Sequence, residues 1–143
     1  MTQDPVTFYP YGFFLFYDAG TGNGLTTYID YFGLYSLVFY PGGFSPSWTH
    51  VTGGDVLLFY DANSGRGATG RVNDDGSFTT LHNYDRLVSC GTSWTHVVGD
   101  AAGFVLLYNV NSGLTGALYV DSDLLDGDCF GTVGTWTHAA QAG

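Results

Sequence analysis

Lysine and glutamate are both absent from this 143-residue chain, whose basic residues are Arg66, Arg71 and Arg86. Against 13 acidic residues they leave a net charge of −10. A phosphate backbone is held by clustered lysine and arginine, so this composition argues against nucleic acid as a partner, and against anionic membrane surfaces for the same reason. The aspartates are spread along the chain and read as solubilising. No apolar run reaches the roughly 18 residues of a membrane-spanning helix, so no membrane insertion is expected. Met1-Thr2-Gln3-Asp4-Pro5 carries neither the basic nor the apolar segment of a signal peptide, and both a secreted and a cytosolic setting stay open. Cysteine occurs twice, at Cys90 and Cys129, too few for a disulfide framework. The pair reads as two small buried thiols, with a single bridge as the alternative. A glycosidase built here would need aspartates alone, and none stands apart from the turn positions. The Gly-x-Ser-x-Gly elbow, the phosphate-cradling glycine loop and His-Glu-x-x-His are missing as well. Neither catalysis nor a cofactor is expected.

What is present is aromatic and glycine-rich: 17% Phe, Trp and Tyr, and 22 glycines. Tyr, Phe, Val and Thr suit pleated strands, and Gly, Asn, Asp and Ser suit turns, so the fold class reads as all-β. The order within the chain is repetitive. Phe13-Phe14-Leu15-Phe16-Tyr17-Asp18 aligns with Val56-Leu57-Leu58-Phe59-Tyr60-Asp61 and with Phe104-Val105-Leu106-Leu107-Tyr108-Asn109. A glycine follows four residues after each Asp or Asn, at Gly22, Gly65 and Gly113. Tyr28, Arg71 and Tyr119 share a further position. The third marker is Trp48-Thr49-His50, Trp94-Thr95-His96 and Trp136-Thr137-His138.

These markers define one all-β repeat domain over 1–143, with units at 6–47, 48–93 and 94–135 and a closing strand at 136–140. Each unit reads as four strands. In the middle unit these are Trp48–Thr52, Val56–Tyr60, Thr69–Val72 and Phe78–His82, with a turn at Asn73-Asp74-Asp75-Gly76 whose glycine needs positive φ. The near-continuous apolar run at 56–60 predicts burial on both faces. Val6-Thr7-Phe8-Tyr9 reads as a degenerate opening strand. Trp136-Thr137-His138 then opens a unit that does not continue. Such a surplus strand completes a unit begun at the other terminus, or adds to a neighbouring chain.

Trp94-Thr95-His96-Val97-Val98-Gly99-Asp100 with Leu106-Leu107-Tyr108-Asn109, and Trp48 to Gly54 with Leu57-Leu58-Phe59-Tyr60-Asp61, resemble blades of the FG-GAP-like and fungal-lectin-type β-propellers. The resemblance covers most of the chain and implies propeller blades and, for part of that family, sugar recognition. The calcium loop of many such blades is not carried over. Its place is taken by Gly53-Gly54-Asp55 and Asp100-Ala101-Ala102-Gly103, too short and too poor in carboxylates. Three blades are fewer than a propeller's usual four to eight, so a homo-oligomer is expected to complete the ring. The alternative architecture is a β-trefoil, which uses three four-stranded units in one chain.

The leading functional expectation is non-catalytic glycan binding at several sites. Alternation along a strand places Trp48 beside His50, Trp94 beside His96 and Trp136 beside His138. An aromatic ring can stack on a sugar's apolar face while a neighbouring polar group bonds its hydroxyls. Asp61, at the end of its apolar strand, and Arg71 join these as candidate ligand-binding residues. For Asp18, Asp61 and Asn109 the plainer role is an Asx turn, and for each Trp it is a place in the core. No metal site is expected, because the marker has no carboxylate to join the three imidazoles. The alternative function is a structural, self-assembling β-repeat protein forming a ring or a larger array.

Overall fold

The computed structural model describes residues 12–29, 35–39, 43–90, 93–100, 102–123 and 125–142. Among them there is no helix, and all sheets are antiparallel. Val6-Thr7-Phe8-Tyr9, the expected opening strand, lies outside the described residues. The strands follow one another in chain order within each sheet. The first sheet is β1 (Gly12–Tyr17), β2 (Gly24–Ile29) and β3 (Tyr35–Phe39). The second is β4 (His50–Gly53), β5 (Leu57–Tyr60), β6 (Gly67–Val72) and β7 (Phe78–Tyr84). The third is β8 (His96–Gly99), β9 (Phe104–Tyr108), β10 (Leu114–Val120) and β11 (Leu125–Thr132). One sheet thus falls within each expected unit. The closing strand expected at 136–140 forms no ladder.

Contacts group the chain into two compact units. One runs to Ser47 and includes Val72–Thr79, the tip of the β6–β7 hairpin; the other takes in Trp48–Arg71 and the chain from Thr80. Within the first unit, β1 turns Phe13, Leu15 and Tyr17 to a half-buried face and leaves Phe14 and Phe16 exposed. Phe44 meets Tyr17 and Phe78 edge-on, with ring centroids 6.0 and 4.8 Å apart. The buried Thr26 hydroxyl donates to the Gly76 carbonyl at 2.6 Å. Gly76 has φ +88°, as its place in the hairpin turn requires.

The second unit holds the main core. On β5, Leu58, Phe59 and Tyr60 are all buried, so both faces of that strand are covered. On β9 the faces differ. Val105 and Leu107 are buried, whereas Phe104 and Leu106 are exposed. Leu58 and Tyr60 of the second sheet pack with Val97, Val105 and Leu107 of the third and with Trp94, just before it. The Leu58 face of one sheet therefore meets the Leu107 face of the next. These positions are not equivalent in the repeat; they lie on opposite faces of it.

Cys90 and Cys129 are joined in a disulfide, with Cα atoms 6.2 Å apart. This corrects the expectation of two separate thiols. Cys90 lies beyond β7 and Cys129 lies on β11, and the strand path brings both against the main core. Closing a 39-residue separation restricts the unfolded chain by about 4 kcal/mol on chain-entropy grounds.

Candidate functional site

Two of the three Trp-Thr-His elements, at Thr49 and Thr95, share one local construction. Thr49 Oγ1 accepts the Ala62 N–H at 2.9 Å and lies 2.8 Å from His50 Nδ1 and 3.1 Å from the Tyr60 carbonyl. Thr95 repeats this with Val110 N at 2.9 Å, His96 Nδ1 at 2.9 Å and the Tyr108 carbonyl at 3.1 Å. The backbone reinforces each grip. Thr49 N donates to Tyr60 O at 2.9 Å and Thr95 N to Tyr108 O at 3.0 Å. The threonine thus clamps the end of the apolar strand and the first residue of its turn.

The histidine then reaches to the next unit. His50 Nε2 is 3.0 Å from the carbonyl oxygen of Thr95, and His96 Nε2 is 2.8 Å from that of Thr137. A carbonyl can only accept, so Nε2 carries the proton in the neutral ring; the one hydrogen of the threonine hydroxyl then faces two acceptors, imidazole Nδ1 and the tyrosine carbonyl. The tyrosine adds a second tie. Trp94 N donates to the Tyr60 hydroxyl at 3.0 Å, and Trp136 N to the Tyr108 hydroxyl at 2.6 Å. The Tyr108 hydroxyl in turn donates to Gly134 O at 2.6 Å. Burial pushes the Tyr60 hydroxyl above the ordinary tyrosine pKa, which keeps it neutral.

Trp48 and Trp94 are 8% and 1% exposed, whereas Trp136 is 61% exposed. Trp48 packs on Phe59, with centroids 5.9 Å apart, while His50 and His96 lie against Tyr60 and Tyr108 at 5.9 and 5.5 Å. Phe59 and Tyr60 point to opposite faces of β5, so Trp48 and His50 do not share a face. The ladder begins at His50, beyond the tryptophan, and the alternation expected across Trp48 does not hold there. Trp48 and Trp94 offer no open ring face, and the imidazoles of His50 and His96 are engaged at both nitrogens.

Comparison with protein-family models and with curated proteins gives no match.

Asp61 is buried and forms the expected Asx turn. Its carboxylate accepts Asn63 N–H at 2.9 Å and the Ser64 hydroxyl at 2.8 Å. Asp18 and Asn109 accept from Gly20 N and Asn111 N at 2.8 and 2.9 Å in the same way. Arg71 stands exposed on β6, apart from the Trp-Thr-His elements. Tyr119 takes the equivalent position on β10; the side chain of Tyr28 is outside the described residues. Beside Tyr119 is a groove that the marker residues did not announce. It is lined by Gly54, Asp55, Val56, Ala102, Gly103, Tyr119, Val120 and Asp121. The signal available for it was the repeat position of Tyr119, a partly exposed aromatic where the second unit has arginine. Among the described residues no three His, Cys or Asp side chains are placed to hold a metal ion. No described helix is long and apolar enough to cross a membrane.

Proposed function

We propose that this chain is a non-catalytic, structural β-repeat protein in which four-stranded sheets stack as propeller-type blades and Trp-Thr-His is the joint from one blade to the next. The observation that carries this reading is the repeated chain of contacts from threonine hydroxyl through imidazole to the next threonine carbonyl, at His50–Thr95 and again at His96–Thr137. A sugar platform needs an open ring and free polar atoms, whereas these groups are spent on one another. The blade arrangement is supported by ladders that run in chain order within each sheet. A trefoil instead pairs strands between its units. Repetition of the same bonds also favours a structural role, since one active site would break the repeat.

The joint is tested by two substitutions read by urea unfolding. Trp94→Ala removes a fully buried indole and should cost about 3–5 kcal/mol. Thr95→Val keeps the shape but strands Val110 N–H and His96 Nδ1, for a loss of about 1–3 kcal/mol. Unchanged midpoints for both would remove the joint reading.

A second reading, glycan binding, is favoured by the groove at Tyr119. There an aromatic ring lies among Asp55, Asp121 and backbone groups, the mixture of stacking face and hydrogen-bonding atoms that sugars require. A glycan array probed with the wild-type chain and with Tyr119→Ala tests it. Binding lost in the variant supports the groove; no binding by the folded wild type sinks the reading.

A further inference from the structure

Trp136-Thr137-His138 is built as half of a joint, and the end of β1 offers the other half. Thr137 and His138 are already set like the inner copies, with Thr137 Oγ1 2.9 Å from His138 Nδ1. Yet among the described residues Thr137 Oγ1 clamps no apolar strand, and Trp136 is exposed. Ala19 stands where Ala62 and Val110 stand in their units, immediately after Tyr-Asp or Tyr-Asn. The N–H groups of Ala62 and Val110 are taken by Thr49 and Thr95. Among the described residues none takes that of Ala19.

The sheet faces are matched in the same sense. Between the second and third sheets, Leu58 and Tyr60 bury against Val105 and Leu107. The next surface of the Leu58 type is the face of Phe104 and Leu106, which are 59% and 37% exposed. The surface of the Leu107 type at the other end is Phe14 and Phe16, which are 50% and 57% exposed. Phe16 is also the counterpart of Phe59, the residue on which Trp48 packs. Each open surface lacks what the other supplies.

We infer that these two ends belong together across two copies of the chain. Trp136-Thr137-His138 of one copy clamps the Tyr17–Ala19 end of β1 in the other, and the Phe104/Leu106 face covers the Phe14/Phe16 face. This continues the interface already formed between the second and third sheets. A head-to-tail contact must close or propagate. Two copies joined in this way bring together six of the described sheets, within the four to eight that close a propeller. The inference rests on the reading of Trp-Thr-His as a joint between blades.

Sedimentation velocity of the full chain at about 100 μM is the first test. A species of twice the 15.4 kDa chain mass is expected. A monomer, or a ladder of larger assemblies, would overturn the two-copy ring. Trp136→Ala and Phe16→Ser should shift the dimer to monomer with the circular dichroism of the sheets retained; a dimer that persists in both overturns the assignment of the surface. A pair of cysteines, Ala19→Cys with Thr137→Cys in one chain, gives the geometric test under mild oxidation. A covalent dimer on a non-reducing gel is expected. An internally bridged monomer, or no new bridge at all, counts against it. If the wild type is monomeric while Trp94→Ala and Thr95→Val remain destabilising, the dimer inference falls and the joint between blades stands.

Discussion

Thr69 and Thr26 hold equivalent positions, yet their hydroxyls fare differently. Thr26 donates to Gly76 O at 2.6 Å, whereas the Thr69 hydroxyl is buried with no partner. A hydroxyl shut away from water without a hydrogen bond costs about 1–3 kcal/mol. Valine has nearly the same shape and leaves nothing unpaired. Thr69→Val should therefore raise the unfolding free energy by about 1 kcal/mol, read from the urea midpoint. Thr26→Val removes a bonded hydroxyl and orphans a carbonyl, so it should move the midpoint the other way. Tyr60 makes the matching case for a residue whose polar atom is used. Its hydroxyl accepts Trp94 N–H and burial raises its pKa. A raised value favours the protonated phenol in the folded state. That contribution is complete below the ordinary tyrosine value of about 10 and is lost as pH climbs through the higher folded value. The wild type should lose stability above pH of about 10 more steeply than Tyr60→Phe, while the variant is the weaker of the two at neutral pH. Parallel pH profiles would dismiss the role given to this hydroxyl.

The turn after each apolar strand is built the same way three times. The first side chain caps the amide two residues on, and the glycine four residues on accepts a left-handed backbone, with φ +78° at Gly22, +81° at Gly65 and +76° at Gly113. A Cβ at Gly113 would also come within 3.0 Å of the Gly134 carbonyl oxygen. Gly113→Ala should cost about 1–2 kcal/mol from backbone handedness, with further loss from that approach, and thermal unfolding would show it. A substitution without effect would mean the turn is not fixed as described. This element was legible in the sequence because its chemistry is local: Asx, three residues of which the last is Ser or Thr, then glycine. The strand before it was legible too, with the run at 56–60 found as β5 at Leu57–Tyr60 and buried on both faces. The start of each unit was not. Strands expected to open at Trp48 and Trp94 begin at His50 and His96, and the Trp94 amide, spent on the Tyr60 hydroxyl, is one reason. That bond comes from the preceding unit, which no local pattern reports. The Cys90–Cys129 bridge was hidden similarly, since the two residues stand four and seven positions before their tryptophans and suggest no symmetry. The Trp-Thr-His motif itself was plain, but whether its rings face a ligand or a neighbouring sheet depends on which surfaces the other units cover.

At the scale of the whole molecule, charge and apolar surface pull in opposite directions. Each chain carries −10, so two copies repel one another at long range. The surfaces assigned to the contact, Phe14, Phe16, Phe104, Leu106 and Trp136, carry no charge, and their burial is driven by removal of apolar area from water. Salt therefore acts on the repulsion and leaves the attraction. The Debye length falls from about 30 Å at 0.01 M to about 8 Å at 0.15 M, which screens charges spread over a chain of this size. Association should tighten over that range, the reverse of an interface held by ion pairs. Sedimentation equilibrium at both ionic strengths reads the dissociation constant directly. The melting temperature should also rise with protein concentration, because only the folded chain offers both half-joints. A dissociation constant that rises with salt would assign the contact to charged groups elsewhere on the surface and remove the aromatic faces from it.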